Sequence, residues 1–347
     1  MRNEVLFCRH LPPEVREPFP SPATHSAKGE KKLKIVPFEA LHISQASELF
    51  LAAYRKERAA VPALPPIRSV PVLQSCAGNR LGVAAFENDR MVGYLCCVGP
   101  FEQAFRSTDA RGVFSPFGAN AAASDDPAAV YAAMYQAAAA KWVELGAVSH
   151  GICLPAHDHA AQQQFFRYGF GLRCADAIRT MEPIPGEPPA GYTLRELPKE
   201  EWMAVYPLEL ALNGHYRQSP FFMNRPQDTP EAFLAESLTQ NARYFAAMQG
   251  GELCAYLKIT FEGETFVAQG EGYCHVHGAY CLPAHRGNGL YRALLGYAAS
   301  GLRKDGCTRL GVDFESINPN AWGFWRKDFA VYTHSVVRRI DERILQG

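Results

Sequence analysis

The clearest chemistry in this chain lies in residues 280–292, which read YCLPAHRGNGLYR. This stretch predicts a short apolar strand, a proline-marked turn, a glycine loop and then a helix. Gly287 and Gly289 can take positive φ and carry no side chain, so a bulky anion can approach the backbone closely. The helix beginning near Gly289 directs its free N–H groups and its positive dipole end at that anion. Arg286 and Arg292 add charge-assisted donors, and the pattern therefore predicts a pyrophosphate site.

The chain also repeats itself. Residues 83–95 (VAAFENDRMVGYL) resemble residues 245–257 (FAAMQGGELCAYL), and both predict two strands joined by a short polar turn. Three more pairs recur in the same order at nearly the same spacing. They are Tyr54-Arg55 with Tyr216-Arg217, 131–146 with 291–306, and 165–170 with 324–329. The sequence thus predicts a tandem duplication of a unit of about 150 residues.

Strands and helices are mixed within each unit, and this order is typical of an α/β fold with a sheet of mixed direction. The stretch 183–190 (PIPGEPPA) is rich in proline and predicts a stiff linker. We therefore predict a loose N-terminal arm at 1–32, an N-terminal domain at 33–182, the linker at 183–190 and a C-terminal domain at 191–347.

At these residues the chain resembles the GNAT superfamily of acyl-CoA-dependent N-acyltransferases. The family motif Arg/Gln-x-x-Gly-x-Gly/Ala matches Arg286, Gly289 and the helix that follows, although Tyr291 stands where a small residue is usual. The later family element Asn-x-x-Ala-x-x-Phe-Tyr matches residues 318–325 (NPNAWGFW), with Trp325 in place of the tyrosine. The resemblance covers both repeats, so it implies two tandem GNAT-like domains.

The resemblance implies acetyl-CoA as co-substrate, bound along a strand end, the glycine loop and the helix start. A backbone N–H near Cys281 would polarise the thioester carbonyl. Asn318 fits a turn-forming side chain as well as a CoA contact, and Phe324 fits core packing as well. The implied cofactor-binding residues are Ala279, Tyr280, Cys281, Arg286, Gly287, Asn288, Gly289, Leu290, Tyr291, Arg292, Asn318 and Phe324.

The first repeat lacks this cradle. Its equivalent stretch, Phe114 to Pro127, contains no arginine, and Asp125 and Asp126 precede the predicted helix. These carboxylates would cap the helix themselves and repel a pyrophosphate. We therefore expect the C-terminal domain to bind acyl-CoA, and the N-terminal domain to shape the acceptor cavity or hold the pair of domains together.

Transfer to an amine needs a base, because only the neutral amine attacks. His275 and His277 are two residues apart on one predicted strand, so they share a face, and histidine titrates near neutral pH. Asp313 and Glu315 share a face of the next strand, and Glu271 precedes the first. We name His277, His275, Asp313 and Glu271 as candidate catalytic residues. Each also fits a structural role: a hydrogen-bonded core histidine, a cap for the following segment or a solvated turn residue.

The acid that protonates the leaving thiolate is an open question, because Trp325 cannot replace the tyrosine usual in the family. Tyr280, Tyr291 and Tyr332 lie nearby in sequence, and each fits packing equally. A CoA thiolate can also leave unaided, its pKa being close to the cysteine value of about 8.5. For the acceptor wall, the resemblance points to Tyr216, Phe221 and Phe222.

The ten cysteines are scattered and mostly apolar in context, which predicts reduced, buried thiols in a cytoplasmic protein. Cys274, His275, His277 and Cys281 fall on one strand, where side chains alternate between faces. They cannot all converge on one ion, so we predict no metal site.

Composition limits the partners. The chain has 347 residues, 48% of them hydrophobic, and a formal net charge of zero. Without a long basic stripe, nucleic acid and anionic membranes are not predicted partners. No apolar run approaches the ~20 residues of a membrane span, and the first residues lack an apolar signal core. We expect a monomer or homodimer.

The leading hypothesis is an N-acetyltransferase that moves an acetyl group from acetyl-CoA to an amine of a small molecule or peptide. The amine attacks directly in a ternary complex. The alternative is a non-catalytic protein that senses acyl-CoA or acts as a scaffold. A third possibility keeps the enzyme and changes the donor to a longer acyl-CoA.

Overall fold

The first half of the chain alternates strands and helices. The computed structural model describes residues 33–106 and 108–346, so the predicted arm at 1–32 lies outside the described residues. The elements are β1 (Leu33–Pro37), α1 (Ile43–Ala60), α2 (Val72–Gly78), β2 (Val83–Glu87), β3 (Arg90–Leu95), β4 (Val98–Phe101), β5 (Gly112–Ser115), β6 (Asn120–Ala122), α3 (Pro127–Glu144), β7 (Ser149–Pro155), α4 (His159–Arg167) and β8 (Gly171–Thr180).

The second half repeats this order and carries the glycine loop. Before its first α-helix, residues Lys199–Val205 form a 3₁₀ helix. The elements are β9 (Tyr192–Leu197), α5 (Tyr206–Tyr216), α6 (Pro230–Thr239), β10 (Arg243–Gln249), β11 (Glu252–Thr260), β12 (Tyr273–Cys281), α7 (Leu290–Lys304), β13 (Arg309–Glu315), α8 (Pro319–Trp325), β14 (Ala330–Val331) and β15 (Thr333–Arg339).

The two halves exchange strands. The last strand of the chain, β15, pairs with both β7 and β8 of the first half. Strand β8 in turn pairs with β13 of the second half. One sheet therefore runs in the order β4-β5-β7-β15-β8-β13-β12-β11-β10-β9, and main-chain hydrogen bonds join the halves. Residues 33–347 form one compact unit.

Two neighbouring strands of this sheet, β12 and β13, separate before they end. Strands β12 and β13 run parallel only from the pair Tyr273–Arg309 to the pair Val276–Val312. Strand β12 continues beside β11 as far as Cys281. In that pairing Ile259 opposes Val276 and Lys258 opposes Gly278, so one extra residue, His277, forms a β-bulge. The result is a V-shaped opening between β12 and β13.

Helix α7 covers one face of the second half and fixes the glycine loop. Its buried side chains recur every three or four residues and pack against the sheet, as an amphipathic helix requires. Arg303 and Lys304 in the last turn complement the negative end of the helix dipole. The buried residues of this stripe are Leu290, Ala293, Leu294, Leu295, Ala298, Ala299 and Leu302.

The prediction of reduced thiols is wrong for two cysteines. Cys274 on β12 and Cys307 just before β13 form a disulfide. They belong to the core between the sheet and α7, where adjacent strands bring the two sulfur atoms together. The other described cysteines are free, and all are buried except the half-buried Cys174.

Candidate functional site

The glycine loop has the backbone that its sequence predicts. Gly287 and Gly289 adopt φ of 83° and 87°, and Gly289 is the N-cap of α7. Asn288 Oδ1 accepts the N–H of Leu290 at 3.1 Å, so this side chain caps the helix. Within the described part of the chain, the N–H groups of Gly287, Asn288 and Gly289 have no acceptor. A Cβ added at either glycine would meet no atom within 4 Å, so the loop has open space beside it.

A cavity of ≈ 380 Å³ joins this loop to the end of β12 and to α8. It is lined by every predicted cofactor-binding residue except Asn288. Those residues are Ala279, Tyr280, Cys281, Arg286, Gly287, Gly289, Leu290, Tyr291, Arg292, Asn318 and Phe324. The remaining lining residues, which were not among the predicted cofactor-binding residues, are Leu212, His215, His285, Asn320, Ala321, Trp325 and Lys327.

The two arginines of the loop region differ in their partners. Arg286 Nε donates to the carbonyl of Cys281 at 2.8 Å, and its guanidinium lies 5.2 Å from the centre of the Tyr280 ring. Arg292 pairs with both carboxylate oxygens of Asp328, and its Nη1 donates to the carbonyl of Pro185. Arg292 therefore ties α7 to the linker, and Arg286 has more donors left for a phosphate.

His275 is fully hydrogen-bonded inside the protein. It is 1% exposed; Nδ1 lies 2.9 Å from the hydroxyl of Tyr273, and Nε2 lies 2.9 Å from Oδ1 of Asp313. A neutral ring satisfies both contacts when Tyr273 donates to Nδ1 and Nε2–H donates to Asp313. His275 thus links two side chains and has no free nitrogen for an acceptor amine.

His277 is exposed at the bulge, two residues before the cavity wall at Ala279. Its pKa is lowered by partial burial and then by the charge of Lys258, while Asp313 acts in the opposite direction. The ring is therefore neutral at neutral pH. A neutral exposed imidazole beside the opening can accept a proton.

Asp313 and Glu315 lie on the same face of β13 as expected, but their carboxylates have different hydrogen-bond partners. Burial alone would raise the pKa of Asp313, but the hydrogen bond from His275 and the charges of His275, His277 and Arg225 lower it overall. Glu315 is buried and accepts both Arg173, at 3.2 Å from each oxygen, and Arg225, at 3.1 Å. Glu315 is therefore held in an ionic cluster.

The structure also distinguishes between the alternative roles of Asn318 and Glu271. Asn318, not Asp313, caps α8, because its Oδ1 accepts the N–H groups of Asn320 and Ala321. Glu271 is exposed in the turn before β12, at the opposite end of the strand from the opening. The structure brings His275, His277 and Asp313 together and leaves Glu271 apart from them.

The three candidate tyrosines differ in the hydrogen-bond partners of their hydroxyl groups. Tyr291 donates to the carbonyl of Tyr256 at 2.9 Å, and the hydroxyl of Tyr332 lies 2.8 Å from that of Thr265. Burial raises the pKa of both phenols well above the usual value. Tyr280 is the one of the three that lines the cavity without such burial.

The predicted acceptor wall lies at the end of α5 and in the loop after it. Tyr216 packs edge-on against Phe221, and the guanidinium of Arg225 lies 4.0 Å from the centre of the Tyr216 ring. Burial raises the pKa of Tyr216 to about 12, with Arg225 acting against it. Phe222 is 76% exposed and has a positive φ of 51°.

Sequence reasoning missed Glu209 of α5 and Lys258 of β11. A Cβ on Gly278 would lie 3.2 Å from both Glu209 Oε1 and Lys258 Cβ, so these side chains sit directly above the bulge. Burial raises the pKa of Glu209, and the Tyr256 hydroxyl and the charge of Lys258 act against this. Glu209 is not part of a recognisable motif. Its only signal in the sequence is a carboxylate with apolar residues on both sides.

The first half has a different loop at the equivalent place. Its strand is broken into β5 and β6 by residues 116–119, and Asn120 Nδ2 donates across the gap to the carbonyl of Cys153 at 3.0 Å. As predicted, an aspartate caps the helix: Asp126 Oδ1 accepts the N–H of Ala129 at 3.1 Å. The gap that is open in the second half is bridged by a side chain here.

Two negative findings concern the described residues alone. No described helix is long and apolar enough to cross a membrane. Across residues 33–106 and 108–346, no three His, Cys, Asp or Glu side chains are grouped to hold a metal ion.

Part of the second half matches the profile of a known protein family. The profile of the Acetyltransferase (GNAT) family matches residues 211–330. No curated protein matches the chain.

Solved structures extend this likeness to the fold of nearly the whole chain. A GCN5-related N-acetyltransferase from Sphaerobacter thermophilus is 15% identical, with a TM-score of 0.57, and the match covers 88% of this chain and 95% of that one. The GCN5-related glucosamine N-acetyltransferase region of a fungal multi-domain β-N-acetylglucosaminidase is 12% identical, with a TM-score of 0.53, and the match covers 90% and 38%. The chain has a mixed α/β GNAT fold.

Proposed function

We propose that this protein is an N-acetyltransferase that moves an acetyl group from acetyl-CoA to an amine of a small molecule or peptide. The observation that carries the proposal is the cavity that joins the glycine loop to residues 279–281 of β12, beyond the point where β12 stops pairing with β13. A donor with a pyrophosphate at one end and a thioester at the other fits such a cavity. The match of residues 211–330 to the GNAT family profile supports acyl transfer.

The donor would bind in three places. Its pyrophosphate would lie on the N–H groups from Gly287 to Gly289 at the positive end of α7, with Arg286 beside it. The pantetheine arm would run along the free edge of β12 from Ala279 to Cys281. A backbone N–H near Cys281 would polarise the thioester carbonyl.

Chemistry would then proceed by direct attack in a ternary complex. A base takes one proton from the acceptor ammonium, and the nitrogen lone pair forms a bond to the carbonyl carbon. The C–S bond breaks, sulfur leaves as the CoA thiolate, and the nitrogen loses its second proton to the thiolate or to solvent, which gives the neutral amide. His277 and Asp313 would be the candidate bases, since both ring nitrogens of His275 already have partners. Tyr280 would protonate the thiolate, which can also leave unaided.

For the two halves we propose the division 33–182 and 191–347, joined by residues 183–190, with acyl-CoA bound in the second. The bridging Asn120 and the capping Asp126 support a first half without productive acyl-CoA binding. That half would shape the acceptor cavity or hold the pair of domains together. The seven free thiols of the described residues support a cytoplasmic location, and the disulfide opposes it. We propose a monomer or homodimer.

A second candidate is a non-catalytic protein that senses acyl-CoA or acts as a scaffold. It is favoured by Trp325, which stands where the family has an acidic tyrosine and is buried in the core. A donor longer than acetyl-CoA is a variant of the first candidate.

One experiment separates these candidates. Release of free thiol from acetyl-CoA is followed across a panel of amines, with a longer acyl-CoA as a parallel donor. The enzyme predicts that at least one amine accelerates release. Slow hydrolysis that no amine accelerates would favour the sensor. In parallel, Gly289→Glu puts a carboxylate at the pyrophosphate and should abolish stabilisation by CoA in thermal unfolding; retained stabilisation would contradict the site.

A further inference from the structure

A carboxyl group from the first half faces the candidate base of the second half. Asp313 on β13 lies directly opposite Asp176 on β8 in their antiparallel pairing. Residues directly opposite in such a pair project to the same face, with Cβ atoms about 4.5–5.5 Å apart. Since β8 reaches this position only through the strand exchange, the pair combines one carboxyl from each repeat.

Asp176 is 5% exposed and has few stabilising partners. The hydroxyl of Thr333 donates to its Oδ2, and its own backbone N–H donates to that hydroxyl at 3.1 Å. The titratable groups that face it are Asp313 and His275 from the neighbouring strands, Glu264 from the loop before β12, Tyr273, Tyr332, Cys153 and Cys174. No lysine or arginine is among these groups.

The pKa values of the two carboxyl groups therefore differ in direction from the usual aspartate value. Burial, then the charge of Asp313, raises the pKa of Asp176 to about 7, while Thr333 and His275 lower it. Asp313 is 34% exposed, and the hydrogen bond from His275 helps to hold its pKa below the usual value. Two facing carboxylates share a proton below the second ionisation, and its apparent pKa belongs to the pair.

We propose that Asp313 and Asp176 act as one proton-accepting unit for the acceptor ammonium, with Asp313 as the catalytic residue and Asp176 as a positioning residue from the first half. This inference rests on the proposed acyl transfer. An isolated aspartate, with a pKa of about 3.9, is a weak base at neutral pH. A second carboxylate beside it brings the proton affinity close to the working pH, where a general base is most effective.

The doubly ionised pair takes one proton from the ammonium at the carboxylate of Asp313. The freed lone pair forms the N–C bond, the C–S bond breaks, and the thiolate carries away the electron pair. The nitrogen then gives its second proton to the thiolate, so that a neutral amide and free CoA thiol are formed. The pair still holds the first proton, which passes to solvent and restores the double charge. His275 and Tyr273 keep Asp313 oriented.

The pH dependence of kcat/KM tests the pair. The wild type should show a rising limb near pH 7. Asp176→Asn removes the second charge, so the limb should move at least one unit lower and the plateau should fall on the order of tenfold. Thr333→Val removes the donor that stabilises ionised Asp176, so the limb should move higher. Both replacements change the size of the side chain little. A general loss of structure would therefore not move the limb of the pH profile in opposite directions.

The control removes a carboxyl elsewhere in the first half. Asp126→Asn keeps a good N-cap for α3 and should leave the limb in place. The proposal is overturned if Asp176→Asn leaves the limb in place. It is also overturned if the limb lies below pH 6.5 and disappears in His277→Gln, since His277 would then be the base.

A readout independent of activity separates this proposal from the proposed function. The pKa of Asp176 is raised in the folded state, so its contribution to stability is full in acid and is lost as pH rises from about 4 through 7. Asp176→Asn lacks this loss, so its Tm relative to wild type should rise between pH 5 and 8. Parallel Tm curves would overturn the pair. If the Tm response holds and no amine is acylated, the pair stands and the acyltransfer proposal fails.

Discussion

The Nε–H of Arg286 donates to the backbone carbonyl of Cys281 at 2.8 Å. This bond ties the first residue of the glycine loop to the last residue of β12. The phosphate donors and the free strand edge are therefore held at a fixed separation, as two contact regions for one ligand require.

Replacement of Arg286 should weaken CoA binding more than protein stability. Arg286→Ala removes a charged donor and the bond to Cys281, so we expect the Kd for CoA to rise at least tenfold, about 1.4 kcal/mol. Arg303→Ala, exposed at the other end of α7, is the control with the same loss of charge. Isothermal titration measures both variants, and equal affinities for them would contradict the role of Arg286.

Gly289 should be required for its backbone conformation. A Cβ at this position meets no atom within 4 Å, but φ is 87°. Gly289→Ala should therefore cost about 1–2 kcal/mol of unfolding free energy through backbone strain alone. Gly323, inside α8, also has open space and an ordinary helical φ, so Gly323→Ala should stabilise by up to about 1 kcal/mol. Urea unfolding of both variants checks the opposite signs; destabilisation by Gly323→Ala would show that space, not φ, decides.

The sequence predicted the second half well where glycine and proline mark the boundaries. Pro283 and Gly289 fix the end of β12 and the start of α7, which the structure places within one residue of the expected bounds. In contrast, Lys199–Val205 form a 3₁₀ helix directly before α5. Its hydrophobic pattern does not distinguish the two kinds of turn.

The strand exchange could not be predicted in this way. Strand β15 (Thr333–Arg339) is the last strand of the second repeat, and it pairs with β7 and β8 of the first half. Alternation of side chains specifies that a strand forms and which face is buried, but not which strand pairs with it. For the same reason no sequence signal placed Asp176 beside Asp313 or Arg173 beside Glu315.

Acid should destabilise the fold through His150. This buried ring lies 2.9 Å from the hydroxyl of Tyr135 and 3.0 Å from the carbonyl of Ala147. Burial, more than the nearby charge of Arg338, lowers its pKa to about 4. The unfolded chain takes up this proton near pH 6.5, so stability is full above that pH and falls toward pH 4, by up to about 3 kcal/mol.

The measurement is the urea unfolding free energy at several pH values for wild type and His150→Gln. The variant should be less stable at pH 7.5 and show a shallower decline between pH 6.5 and 4.5. His157→Gln is the comparison, because that ring is 47% exposed. If the wild type and His150→Gln decline with the same slope, His150 is not responsible for the acid sensitivity.

The cluster of Arg173, Glu315 and Arg225 should couple the two halves energetically. The side chain of Arg173 on β8 is 19% exposed and that of Arg225 is 36% exposed, so Arg173→Met should cost more than Arg225→Met. Glu315→Met leaves two guanidinium groups facing each other without their carboxylate. It should be the most destabilising of the three, at about 3–5 kcal/mol.

A double-mutant cycle isolates the coupling. Arg173→Met combined with Glu315→Met removes both charges of the pair that bonds through both carboxylate oxygens, so the double variant should be more stable than the two single costs predict, by at least 1 kcal/mol. Urea unfolding gives each free energy, and m-values equal to wild type ensure that the same unfolding reaction is measured. Arg243→Met with Glu196→Met, a more exposed pair within the second half, provides the comparison and should couple by less than 1 kcal/mol. If the unfolding free-energy costs of Arg173→Met and Glu315→Met add to within about 0.5 kcal/mol in the double variant, main-chain pairing and not this cluster joins the halves.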